Sequence, residues 1–135
     1  MANALYDNGR EEYLGGTADW NSNDMRLIFI DEADDTIDLV NDDFLDDRAA
    51  ASRVAVSGSF AGKTITDGVA DADDVTIVTV SGDQFESIDI YEHTGTDSTS
   101  SMIANIDTAT GLPATPAGGD ISVIWDAGSS RIFKL

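Results

Sequence analysis

The runs DVTIVTV (residues 74–80) and ESIDIYE (86–92) decide the fold: both are too short for typical helices, and both set β-branched or aromatic residues at a period of two. In the first, Val75, Ile77 and Thr79 share one face of an extended chain, and Thr76, Val78 and Val80 share the other. In the second, Ile88 and Ile90 alternate with Ser87, Asp89 and Tyr91, which predicts a strand with one face in the core and one in water. Further short runs flank this pair: SRVAVSG (52–58) and KTITDG (63–68) upstream, SMIANID (101–107), DISVIWD (120–126) and RIFKL (131–135) downstream. Gly, Asp, Ser and Pro separate them. Strands at this spacing predict a mainly-β chain, an antiparallel sandwich or a jelly-roll-like barrel.

The N-terminal third reads differently. Asn3 is placed to cap a helix over Ala4 to Leu14, with Glu11 and Glu12 outward, Leu5, Tyr6, Tyr13 and Leu14 available to pack, and Gly15 and Gly16 as its stop. MRLIFI (25–30) is apolar on both faces except at Arg26, so it predicts a strand covered on both sides. DTIDLV (35–40) alternates more weakly and predicts a second strand across an acidic turn, and NDDFLDDRAA (41–50) fits one helical turn anchored by Phe44 and Leu45. Trp125 and Phe133 are expected in the core on neighbouring strands joined by DAGSS (126–130), with Lys134 and Leu135 ending the chain inside a sheet. The expected organisation is one domain over 1–135, made of a helical arm (1–16) and a β-sandwich (25–135).

Composition limits the chemistry. With 41% hydrophobic residues among 135 the chain can build a core, and with no cysteine it has neither disulfides nor thiolate metal sites. Seven Lys and Arg face 26 Asp and Glu, a formal charge of −19 that repels nucleic-acid phosphates and anionic lipid. The start has no basic and apolar pair of regions such as a signal peptide needs, and no run approaches the roughly 20 apolar residues of a membrane span. Direct nucleic-acid binding and a membrane location are therefore not expected.

Catalytic constellations are equally sparse. His93 is the only histidine, no G-x-S-x-G elbow accompanies any serine, and the two tryptophans, Trp20 and Trp125, are few for a sugar-cleaving cleft. GGTADW (15–20) and AGK (61–63) are too short to cradle phosphate and read as turns. Two acidic clusters offer several oxygens within one turn and are the candidates for calcium: Asp31, Asp34 and Asp35, then Asp71, Asp73 and Asp74. Neither has the calcium-loop spacing with its distal glutamate, and a solvated turn explains each as well. A non-enzymatic protein without a cofactor is expected.

Beyond these physical readings, MANALYDNGREEYL at the start, MRLIFID, the central segment from DGVADADD to TGLP, and above all TGLPATPAGGDISVIWD (110–126) with IFKL (132–135) carry a resemblance. The chain resembles small structural proteins of tailed-bacteriophage particles. It departs from them in its richness in aspartate. The resemblance implies a place in the virion and contacts with the major capsid protein or other virion proteins, most simply as an oligomeric decoration or cement protein on the capsid exterior, made in the host cytoplasm. A head–tail adaptor, tail or fibre-attachment component is the alternative, and a virion-displayed carbohydrate-binding module a second one. For contacts, Tyr6, Tyr13 and Trp20 supply aromatic anchors, and the loop holding Leu112, Pro113 and Pro116 supplies an adaptable surface.

Overall fold

Met25–Ile30 forms β2, and its neighbours explain why both of its faces are apolar. In the computed structural model, which describes residues 3–135, β2 lies between two antiparallel partners, Ser87–Glu92 (β7) and Arg53–Val56 (β3). Met102–Ile106 (β8) pairs with β7 on its far side, and Ala4–Leu5 (β1) pairs with β8, giving a five-stranded sheet in the order β1-β8-β7-β2-β3. Leu27 and Phe29 point to one face with Ile88 and Ile90, and Ile28 and Ile30 point to the other with Tyr91, so the sheet is the middle of three layers.

The first face carries the larger core. Thr64–Thr66 (β4), Val69–Asp71 (β5) and Phe133–Lys134 (β10) make a three-stranded sheet, and Val75–Ile77 (β6) with Ile121–Val123 (β9) make a two-stranded ribbon. Trp20 is the hub: its ring meets Phe60 and Phe133 edge-on at centroid distances of 5.9 and 5.3 Å, and its indole N–H donates to the Asp71 carbonyl at 2.9 Å. Phe85 stacks on Phe29 at 4.1 Å. The architecture is mainly β and antiparallel, as the strand spacing predicted, and of the two forms that spacing left open it is a sandwich and not a closed barrel.

Several local expectations are corrected. The helix, α1, spans Asp7–Gly15, and Tyr6 precedes it without a side-chain cap. Asn3 instead binds loop 107–108, its Oδ1 accepting the N–H groups of Asp107 and Thr108 and its Nδ2 donating to the Thr108 carbonyl. Ala4 and Leu5 are thus claimed by the sheet, and the N-terminal segment is part of the sandwich instead of a separate arm. Met1 and Ala2, the first residues of that expected arm, lie outside the described residues. The stop is as expected: Gly16 adopts φ 78° and closes the last turn. Gly9 and Tyr13 lie on the inner side of α1, whereas Leu14 is 89% exposed because it falls off that face.

Residues 35–40 are not a strand; with two short 3₁₀ turns, Leu45–Asp47 and Ala50–Ser52, they belong to a covering segment that packs Ile37, Leu39 and Leu45 onto the second face of the sheet. The run 74–80 is a strand only to Ile77, because Thr79 turns at φ 54°, a conformation rare for a β-branched residue. That turn reverses the alternation: Val78 is 67% exposed and Val80 is buried. Trp125 and Phe133 do not share a hairpin either, since β9 pairs with β6 and β10 with β5, and residues 124–132 cross between the two sheets. Asp67 and Gly68, at φ 53° and 78°, form the two-residue turn of the β4–β5 hairpin, whose second strand lay outside the expected runs.

The contact between α1 and β8 gives a sharp test. A Cβ placed on Gly9 would sit 2.7 Å from the Ile103 carbonyl oxygen, a backbone atom held in the sheet. Gly9→Ala should therefore destabilise the protein by about 1–3 kcal/mol through overpacking, even though alanine is the better helix former, as read by denaturant unfolding.

Candidate functional site

Three places gather polar or charged side chains: a buried ionic cluster, an acidic loop junction and a group of surface grooves. The cluster is centred on Arg48, whose side chain is fully buried between the sheet and its covering segment. Its Nε donates to Asp89 Oδ2 at 2.9 Å, Nη1 to Asp35 Oδ2 at 3.2 Å and to the Thr36 carbonyl at 3.3 Å, and Nη2 to the Tyr6 hydroxyl at 3.1 Å and to Asp42. Tyr6 in turn donates to Asp89 Oδ1 at 2.6 Å, and Asn105 Nδ2 donates to the same oxygen at 2.8 Å. Burial pushes the Asp89 carboxyl above its ordinary value, and the Arg48 guanidinium and the Tyr6 and Asn105 hydrogen bonds pull against that rise.

This overturns the reading of ESIDIYE as half-exposed. Ser87, Asp89 and Tyr91 are buried, and the polar members of the alternation are there to meet Arg48 and Asn105. The sequence holds Arg48 in an acidic stretch, NDDFLDDRAA, which reads naturally as a solvated turn. Nothing local to that stretch names Asp89, 41 residues away, as its partner.

The acidic junction recombines the calcium candidates. Asp31 and Asp34 converge with Asp83, each offering a carboxylate oxygen within 4.8 Å of the others, but Asp35 is drawn away to Arg48 and to the Ala49 N–H. One Asp31 oxygen already accepts the Ala33 N–H at 2.8 Å, and with one converging oxygen from each carboxylate the junction supplies three of the 6–8 oxygens calcium takes. The second cluster disperses: Asp71 pairs with Arg131 at 3.0 Å, Asp74 accepts the Trp125 backbone N–H, and the Asp73 carbonyl accepts the Trp125 indole. Asp83 is far from Asp31 in sequence and joins it only through folding.

The contact candidates also sort by burial. Tyr6 and Trp20 are 0% and 1% exposed, so they are core residues and not free anchors, and Tyr13 is half-buried against Phe133. Pro113 is exposed, with Leu112 and Pro116 half-buried, in the loop between β8 and β9. His93 lies beside Tyr91, ring centroids 6.2 Å apart, and its backbone N–H donates to Asp24. Among the described residues no helix is long and apolar enough to cross a membrane.

Three grooves flank the C-terminal segment, and one of about 400 Å³ brings Arg131 and Lys134 together with Asp67 and Asp71 of the β4–β5 hairpin. A trench of about 630 Å³ is lined by Ile88, Ile106, Val123, Ile124 and Trp125, with Asp126 and Arg131 on its polar side. A second groove of about 400 Å³ adjoins it and shares Asn3, Ile106, Arg131 and Ile132. No protein-family model matches the chain, and no curated protein matches its sequence.

Two outcomes follow from the buried cluster. Arg48→Met, of similar volume, leaves Asp89 without its counter-charge and should cost about 3–5 kcal/mol in a denaturant melt, and combining it with Asp89→Leu should recover part of that loss. The second concerns the three tyrosines, Tyr6, Tyr13 and Tyr91, whose phenols burial pushes up in every case, with nearby Asp89 adding to Tyr6 and Glu92 to Tyr13. A raised folded-state value leaves stability intact below the unfolded value of about 10 and removes it as pH climbs beyond, by up to about 4 kcal/mol per pH unit for three groups. Absorbance at 295 nm should show Tyr6 and Tyr13 forming tyrosinate only as the protein unfolds.

Proposed function

We propose that this protein is a structural component of a tailed-phage particle that docks on the outer shell as a decoration or cement protein. The observation that carries the reading is the position of its most distinctive strings. Residues from TGLPATPAGGDISVIWD and IFKL line the surface trench and its neighbouring groove with Ser122, Val123, Ile124, Trp125, Ile132 and Phe133, and of these Val123, Trp125, Ile132 and Phe133 also pack against the main core. Half-buried residues that rest on the core and also open to a groove offer a partner a firm, partly apolar surface.

Charge supports the exterior over the interior. A chain of −19 is repelled by packaged nucleic acid and gains nothing from facing it, whereas outside the shell the same charge keeps copies soluble and apart until they dock. The function is then mass action: a protein that binds the assembled shell and not its separate subunits stabilises the assembly by its binding free energy, repeated over many copies. Sandwich rigidity suits such a role, because little conformational freedom is lost on docking.

The copy number per purified particle, measured by quantitative mass spectrometry against the major capsid protein, tests this. One copy per capsid subunit, or a simple fraction of that, is expected. A handful of copies would move the protein to the neck, tail or fibres, and absence from the particle would overturn the structural role.

A further inference from the structure

In a chain where acids outnumber bases by nearly four to one, the groove adjoining the trench is lined by Arg10, Arg131 and Lys134 and by no acidic residue. Its floor and walls come from β1 and β8 on one side and residues 130–134 on the other. β1 is an outermost strand of the five-stranded sheet and β10 an outermost strand of the three-stranded one, so the groove runs between two strand edges. Arg10 uses one nitrogen on Asp7 and Arg131 one on Asp71, both pairs about half exposed at the arginine, and the Lys134 side chain has no hydrogen bond or ion pair among the described residues. Each guanidinium keeps further donors free.

The other four bases are engaged differently. Arg48 is enclosed, Arg26 pairs with Asp24, Arg53 with Asp97, and Lys63 donates to the Asn23 carbonyl. We infer that this groove is the docking site for an extended, acidic segment of a partner protein, its carboxylates meeting Arg10, Arg131 and Lys134 and its apolar side chains entering the adjoining trench beside Trp125. Charge complementarity selects the occupant: an acidic strand is repelled by most of this surface and attracted at the groove, so the acidic body sets the orientation of docking as firmly as the groove does. The inference rests on the particle reading above, and the partner is then a protein of the shell.

The test uses the full chain and phage heads purified without it, with binding read by co-sedimentation. Arg10→Gln/Lys134→Gln removes two exposed charges outside the core, and its thermal melt should match the parent. Gln84→Glu/Ser98→Asp changes the net charge by the same amount at exposed sites away from the groove. The groove variant should bind heads about tenfold more weakly or worse, and the control should bind like the parent. Equal binding by the groove variant, or an equal loss in the control, overturns the groove as the site while leaving the shell as the partner. Failure of the parent itself to bind heads overturns the particle reading instead.

Discussion

A guanidinium buried against a carboxylate in the middle of a sheet has to be satisfied at every nitrogen, and that requirement organises much of this molecule. Arg48 reaches Asp89 on β7, Asp35 and Asp42 in the covering segment, and Tyr6 at the entry to the helix, so one side chain ties three separate parts of the chain to one point. The segment 31–52 has almost no regular structure with which to satisfy its own backbone. It is held by this cluster and by Ile37, Leu39 and Leu45 on the apolar face beside it. Replacing such a cluster with hydrocarbon is often neutral for stability, but breaking it on one side is not. Its role is best understood as fixing where an otherwise irregular segment lies.

What the sequence revealed and what it hid follow from the same distinction between local and distant partners. β2 was legible because six consecutive residues with a single polar member can only be a covered strand, and Gly16 because a left-handed helix end needs glycine. β5 was hidden although Asp67-Gly68 announces a tight hairpin, since its three residues carry no period of their own. Asp89 was misjudged because an alternating polar residue has the same local pattern whether it meets water or a buried arginine. The end of β6 was misplaced because the turn at Thr79 obeys no residue preference and depends on Asp120, whose carboxylate accepts the Thr79 N–H at 3.0 Å.

The candidate site was less legible than the fold. The sequence offered the loop of Leu112, Pro113 and Pro116 as a contact surface, and the structure leaves that loop exposed or half-buried; it also offered aromatic anchors at Tyr6 and Trp20, which the core claims, and it assigned to the core Trp125, which is only half-buried and lines the trench. Arg10, Arg131 and Lys134 are 121 or more positions apart from helix to C-terminal segment, and only the meeting of β1 with residues 130–134 makes them neighbours. An excess of 19 negative charges is visible at a glance, whereas a local reversal of sign is a property of the fold alone.

The outer edge of β8 is covered by the chain itself. Ala4 and Leu5 pair with its residues 104–105, the Tyr6 N–H takes the Ile103 carbonyl, Gly9 presses against the same backbone, and the Asp43 carbonyl accepts the Met102 N–H. No stretch of that edge is long enough to template a foreign strand by backbone pairing alone. A β protein held at high local density, copy beside copy, is at constant risk of edge-to-edge polymerisation. Along β8 the backbone is largely paired and the net charge of the chain is negative, so crowded copies repel one another and that strand offers no free ladder from which an amyloid-like sheet would grow.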